Sequence, residues 1–540
     1  MPVKDQETRL KLIRDYHQLT KHRPGGYAPG PGGLDWANQP DPFRRFQGAP
    51  ITALPLLANG LEPSFDDLHQ PDAIPPAPLD RDTVAMLFQL SFGLSTWKSW
   101  QGNRWALRCN PSSGNLHPIE AYLACPGLPG LEGGIHHYLS LEHGLEQRSA
   151  ITDERWQSAF HGNLLVGLSY IPWREAWKYG TRAFRYCQLD MGHAVAALRY
   201  AAATLGWGVR VLTTPADTDI AKLLGLDRKQ DFEGAEAEIP GLLLAIGPDT
   251  EQLDIGILLD PPQQASWQGQ ASRLSESEMP WLPITEVIKA CRKSQTLPPT
   301  PPALKALPAP HPSPSNIKAS DLIRHRRSAQ AFDGETTLTR DACLRLLDSL
   351  LPRSGLPPWD SLPWAPKIHP ILFVHRVKGL EPGLYILPRD PEVVPKLATQ
   401  MRQDLLWQQI ENCPEHLHLY LLEKGDCQHR AQQISCFQDI AADGALSLGM
   451  LAEFSAINEA PHWYRYLYWE AGILGQALYL GAEAIGLRGT GIGCFFDDDM
   501  HQLLGLQGED WQILYHFTLG GAVDDPRLET FPAYAHLDNR

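Results

Sequence analysis

Nowhere in its 540 residues does the chain hold an uninterrupted apolar run of about 18 residues, the length a bilayer-spanning helix needs, so no membrane segment is expected. It also lacks any Cys-x-x-Cys pair. Nine cysteines are scattered from Cys109 to Cys494, which argues against a disulfide frame or a zinc site and for reduced thiols, most of them small core residues. His136 and His137 have no spaced companions, so no metal is assigned. Excess positive charge is missing too: the formal net charge is -15, which opposes attraction to nucleic acid or anionic membranes while leaving room for a local basic pocket that holds a small phosphate. Met1 to Asp15 is charged throughout and does not read as a signal peptide. A cytoplasmic protein is expected.

Proline, by contrast, is plentiful, with 47 residues. Eight of them, from Pro298 to Pro314, fall in a Pro/Ala/Ser stretch whose composition favours an extended, semi-rigid spacer. This divides the chain into 1–296, a linker at 297–316, and 317–540, each half within the usual size of a domain. The halves are related. With a shift of 280, Arg185-Tyr186 aligns with Arg465-Tyr466, Gly192 with Gly472, Gly206 with Gly486, and Asp217 with Asp497. Leu223-Leu224-Gly225-Leu226 likewise aligns with Leu503-Leu504-Gly505-Leu506, making 13 identities in 42 ungapped positions over Arg185–Leu226, where composition alone gives roughly three. The shared segment predicts a long apolar helix ended by a left-handed glycine, then a strand or loop, then a short helix. Asp80 and Thr339 are placed as N-caps of matching helices.

Four motifs carry chemistry. Pro111-Ser112-Ser113-Gly114-Asn115-Leu116-His117-Pro118 packs two hydroxyls, a glycine and an amide into one turn, able to hydrogen-bond a polar flat ring or a polyol chain. Arg326-Arg327-Ser328-Ala329-Gln330-Ala331-Phe332 sets adjacent guanidiniums beside a hydroxyl, a fitting clamp for a phosphate. Gly489-Thr490-Gly491-Ile492-Gly493 lets backbone amides approach a planar group. Lys178-Tyr179 pairs an amine with a phenol; if buried, with its pKa lowered, the lysine could act as a base.

The order of residues in these motifs resembles the nitroreductase superfamily. The first is similar to that family's Pro-Ser-Ser-x-Asn-x-Gln-Pro signature, with His117 at the glutamine, and the second to its Arg-Arg-Ser-x-Arg-x-Phe opening, with Gln330 at the second basic position. Lys178-Tyr179 and the early Asp35-Trp36-Ala37-Asn38-Gln39-Pro40 resemble the SagB-type subgroup, dehydrogenases of thiazoline and oxazoline rings. The resemblance implies an α+β architecture: two nitroreductase-like domains fused as an intramolecular pseudo-dimer, with mixed sheets flanked by helices. It implies FMN contacts at Pro111, Ser112, Ser113, Asn115, Arg326, Arg327, Ser328, Gln330, Gly491, Ile492 and Gly493. Arg527 is expected to complete the phosphate site, and Lys178 and Tyr179 to handle a proton.

Each half lacks what the other keeps. The first has no Arg-Arg-Ser opening at its helix start, and the second has Pro357-Pro358-Trp359 and Pro363-Trp364 where the Ser-Ser-x-Asn turn would fall. Because the family's flavin sits at a dimer interface, the resemblance implies one composite site, one FMN per chain, and a monomer. NAD(P)H is expected only as a transient reductant, and the substrate as a small molecule or peptide. The competing expectation is a non-catalytic module that binds a peptide or partner enzyme.

Overall fold

Two long apolar helices, one from each half, cross at the centre of the molecule, and everything else is arranged about them. The structure is a computed structural model that describes residues 3–57, 60–261, 266–297, 304–311 and 316–537. Most of the proline-rich stretch, including Pro298, Pro299, Pro301, Pro302, Pro312 and Pro314, lies outside the described residues.

The helices used below are α1 (Val3–Leu19), α2 (Arg81–Ser91), α3 (Pro172–Tyr179), α4 (Ala183–Ala203), α5 (Asp217–Leu224), α6 (Ala319–His325), α7 (Arg340–Asp348), α8 (Trp463–Ala484) and α9 (Asp497–Leu504). Capping follows the sequence pattern: the Asp80 side chain accepts from Thr83 N ahead of α2, and Thr339 accepts from Ala342 N ahead of α7. Gly206 and Gly486, just past α4 and α8, have φ of 68° and 75°, left-handed values that a side chain disfavours.

The strands are β1 (Leu94–Trp100), β2 (Asn103–Arg108), β3 (Ile119–Cys125), β4 (Gly134–Leu139), β5 (Leu164–Tyr170), β6 (Gly208–Leu212) and β7 (Ile239–Gly247) in the first half. In the second they are β8 (Ile368–Val374), β9 (Gly383–Ile386), β10 (Leu446–Glu453), β11 (Arg488–Ile492), β12 (Trp511–Gly520) and β13 (Glu529–Phe531). The first large sheet contains the antiparallel run β4, β3, β5, β7, β6, and the second contains β9, β8, β10, β12, β11. Counterpart strands occupy counterpart places in the two sheets. A short parallel ladder pairs Leu338 and Thr339 with Val377 and Lys378.

The α4–α8 crossing explains why glycine stands at both Gly192 and Gly472. A Cβ on Gly192 would lie 2.1 Å from Trp469 O and 2.9 Å from the Gly472 Cα, and one on Gly472 would lie 2.2 Å from Leu189 O. Only glycine allows backbones that close. The shared Arg and Asp residues join the halves reciprocally: Arg185 Nη1 meets Asp497 Oδ1 at 2.6 Å and Arg465 Nη2 meets Asp217 Oδ1 at 3.0 Å, all four residues buried. Both ends of the described chain also cross over. His17 of α1 hydrogen-bonds Tyr464 and Gln512 of the second half, and β13 pairs with β1 of the first.

Candidate functional site

Where the halves meet beside α4 and α8, a cavity of about 860 Å³ opens, within the usual size range of sites for cofactors and small molecules. The turn at 111–117 forms one wall and β11 with the loop after it forms the opposite one, while the segment after α6 closes the basic end.

The turn is built from residues that accept left-handed backbone: Gly114, Asn115 and His117 have φ of 61°, 60° and 50°. It is held from beneath by Asp190 of α4, whose carboxylate accepts from Ser112 Oγ (2.6 Å), Ser113 N (3.0 Å) and Ser113 Oγ (2.9 Å). Both serine hydroxyls are therefore spent on positioning the turn, although the residues still line the cavity. Asn115 donates from Nδ2 to Ala106 O and contacts His117 Nε2 through Oδ1 at 3.0 Å. Burial, reinforced by Arg108 and Arg174, holds the His117 imidazole well below its ordinary pKa, so it is neutral.

Beneath this turn lies a group of buried acids that sequence patterns did not reveal. Burial pushes the Asp190 carboxyl up to about 7, against the pull of Ser112 and Ser113. Glu175 on α3 is fully buried, neither carboxyl oxygen has a hydrogen-bond partner among the described residues, and burial with Asp190 nearby raises it well above the carboxylate range. A fully buried aspartate on a helix that also buries Arg185, His193 and Arg199 carries no distinguishing pattern in the sequence.

Lys178 and Tyr179 end α3 above the same turn. A Cβ on Gly114 would meet the Tyr179 hydroxyl at 2.5 Å and Lys178 Nζ at 3.1 Å, so both polar tips reach over the one residue without a side chain. Lys178 is half-buried rather than sealed in the core and, unlike Tyr179, is not among the residues that line the cavity. Burial, and then Glu175, hold the Tyr179 phenol well above its ordinary pKa, keeping it protonated. It can donate a hydrogen bond or a proton; it is a poor base.

On the opposite wall, the second-half motifs are stitched together. Ala329 N donates to Gly489 O, and Gly491 N donates to the Tyr479 hydroxyl at 2.9 Å, which also contacts Ser328 Oγ at 2.9 Å. The Arg326 guanidinium lies 4.9 Å from the Tyr479 ring centroid. A Cβ on Gly491 would fall 1.7 Å from the Tyr515 hydroxyl, which is itself hydrogen-bonded to His193 of α4 at 3.1 Å. Ile492, Gly493 and the exposed Gln330 complete this side.

Lys98, His325, Arg326, Arg327 and Arg488 gather at one end. Arg326 Nη2 donates to the carbonyls of Arg108 and Cys109, and Arg327 Nη2 to Ser95 O, so both arginines are anchored to the first half. Burial and the neighbouring Arg326 bring Arg327 down to about 10. Lys98 is lowered by burial and then by Arg327. Arg527 is not brought to this end. Its guanidinium chelates Asp525 two residues away, 70% of its side chain is exposed, and it lies over Trp100. Arg488, on β11, lines the cavity, with its guanidinium paired to Asp524.

The pseudo-equivalent face is packed. Trp359–Ser361, the counterpart of the Ser113–Asn115 turn, lies directly on β6. The Trp359 indole is buried beneath Arg389, Trp364 stacks on Tyr466 at 4.8 Å, and Asp360 is paired with Arg199 of α4 at 2.7 Å.

Residues 323–521 match the model of the Nitroreductase family. A protein of Methanocaldococcus jannaschii provisionally named a nitroreductase is 25% identical over 151 residues, spanning 26% of this chain and 70% of that protein. A crystal structure from Anabaena variabilis, also provisionally named a nitroreductase, aligns over 95% of this chain and 99% of its own with a TM-score of 0.67 and 23% identity. The chain carries a Nitroreductase family domain over residues 323–521, set in a fold shared almost end to end with the Anabaena protein.

Proposed function

We propose that the protein is an FMN-dependent oxidoreductase with one composite flavin site, in which the second half binds the phosphate and the first supplies the turn and the proton-handling residues. The observation that carries this reading is the cavity between the halves, because Ser112, Ser113, Asn115 and Tyr179 of the first half line it together with Arg326, Arg327, Ser328, Gly491 and Gly493 of the second.

Its walls fit such a group. Arg326 Nε, Asn110 Oδ1 and His117 Nδ1 are buried at the lining without hydrogen-bond partners among the described residues, a costly state that a polar cofactor would relieve. The crowded cations Lys98, Arg326 and Arg327 suit a phosphate. Gly491 and Gly493 let the Tyr515 and Tyr186 rings pack against the strand at this wall.

Bound FMN supplies hydride transfer at its N5. The chain's own part is to orient substrate and move a proton. Lys178 stands at the turn as the candidate base, Tyr179 as a protonated donor, and Asp190, with its carboxyl at about 7, as a group that changes charge in the neutral range. This arrangement suits dehydrogenation of an azoline-type ring in a small molecule or peptide, in which hydride and proton leave together. NAD(P)H-driven reduction is the other reaction the open cavity accommodates.

The test is spectroscopic and kinetic. Purified protein, alone or after addition of FMN, should show flavin absorbance that survives desalting. Lys178→Ala should reduce azoline dehydrogenation by about 100-fold or more, the scale of a lost general base, while leaving NAD(P)H-driven quinone reduction within a few-fold. Absence of flavin uptake would contradict the reading.

A further inference from the structure

At the edge of the cavity, two cysteines from separate segments of the second half meet. Cys436 follows the helix Gln428–Ile434, and Cys494 follows β11 and lines the cavity. Their sulfurs share a hydrogen bond at 2.9 Å, so reaching the roughly 2.05 Å of a disulfide requires closure by only about 1 Å. Cys436 and Phe437 both lie in the left-handed region, with φ of 55° and 59°, which turns the Cys436 segment toward β11. Gln438 Nε2 then donates to Cys494 O at 2.9 Å and ties the two segments together.

The surroundings distinguish the two thiols. His22 Nδ1 accepts from Ala28 N at 2.9 Å, which in the neutral ring leaves the proton on Nε2, and the ring lies beside Cys494. The Arg182 guanidinium is fixed next door on Gly493 O at 3.0 Å. Both groups favour a thiolate on Cys494. The Tyr27 phenol neighbours both sulfurs, and Cys436, unlike Cys494, is not among the cavity-lining residues. Of the nine cysteines, Cys413, Cys436 and Cys494 are half-buried and the other six are buried. The position matching Cys494 in the first half is Thr214, so the pair belongs to this face of the molecule alone.

We propose that Cys436 and Cys494 are a redox-active dithiol at the cavity wall that reduces small soluble disulfides, with Cys494 the attacking sulfur and Cys436 the resolving one. The Cys494 thiolate attacks one sulfur of the substrate. The substrate S–S bond breaks as a mixed disulfide forms, and the departing sulfur leaves as a thiolate and takes up a proton. Cys436, giving up its proton, then attacks Cys494. The Cys436–Cys494 bond forms and the second substrate sulfur is released as a thiol. The substrate gains two electrons and two protons and the cysteines lose them, with no flavin involved, so this proposal stands or falls separately from the flavin reading.

The test uses the full chain, reduced and desalted, then exposed to oxidised glutathione and followed by intact mass and peptide mapping. Wild type should lose two hydrogens and yield a Cys436–Cys494 cross-linked peptide, reversed by dithiothreitol. Cys436→Ser should trap one glutathione on Cys494, at least about tenfold faster than Cys494→Ser traps any on Cys436. Serine is nearly isosteric, and circular dichroism checks that each variant is folded. Persistence of all nine free thiols in wild type would overturn the proposal, as would glutathione appearing on Cys413 of Cys436→Ser as fast as on Cys494.

Discussion

On one face of the α4–α8 crossing the Ser113–Asn115 turn stands off from β11 across a cavity, whereas on the other its counterpart, Trp359–Ser361, rests on β6. The frames around the two faces are nearly equivalent. Gly192 meets Gly472 between them, Arg185 binds Asp497 on one side, and Arg465 binds Asp217 on the other. Packing requirements kept these residues in both halves because each holds the halves together. The cavity residues answer to no such requirement on the packed face, where tryptophan and proline replace serine and asparagine, and Val211 and Thr213 replace Gly491 and Gly493.

Five substitutions sharpen this contrast. Trp359→Ala, on the packed face, should cost about 3–5 kcal/mol, the range for emptying a buried tryptophan site, with flavin content per folded chain unchanged. Denaturant unfolding and a flavin assay on the same sample check both halves of that expectation. Next come the two reciprocal ion pairs. Asp497→Ala leaves Arg182 and Arg185 both uncompensated in the core, and should cost about 3–5 kcal/mol, more than Asp217→Ala, which strands Arg465. Arg182 and Arg185 hold the Asp497 carboxyl below its ordinary range despite burial. Its contribution is therefore present above about pH 4 and lost as pH falls through the lowered folded value. Acid unfolding of Asp497→Ala should show a shallower pH dependence than that of wild type.

The effect of Arg326→Ala should be smaller in energy but specific to the open face. Losing a charge-assisted contact of about 1.5–3 kcal/mol should weaken FMN binding by about 10- to 100-fold, read by fluorescence titration. Smallest is Arg527→Ala. Because the side chain is exposed and bound to Asp525, flavin affinity should change by no more than about twofold. A tenfold loss would return Arg527 to the phosphate end.

Much of this organisation was legible in the chain. The Asp80 and Thr339 caps, the left-handed Gly206 and Gly486 and the shift of 280 follow from local backbone chemistry, and Ser112, Ser113, Asn115 and Tyr179 of the first half line one cavity with Arg326, Arg327, Ser328, Gly491 and Gly493 of the second, while Lys178 is not among its lining residues. What escaped was set by tertiary contact. Tyr479 and Tyr515 look like core aromatics in a helix and a strand, and only the approach of Ser328, Gly491 and His193 makes them part of the wall. Asp190 was hidden in a helix that also buries Arg185, His193 and Arg199, and its grip on Ser112 and Ser113 reassigns those hydroxyls from the cavity to the turn. Arg527 misled because a basic residue near the end of the family pattern says nothing of the aspartate two positions before it.

The central claim is that only one face binds flavin. Titrating the full chain with FMN, with protein quantified independently by amino-acid analysis, tests it most directly: the account predicts saturation at one FMN per chain, abolished together with catalysis by Gly491→Val, whose side chain displaces Tyr515 of the cavity wall. Saturation at two per chain, or one per chain that persists in Gly491→Val, would contradict it.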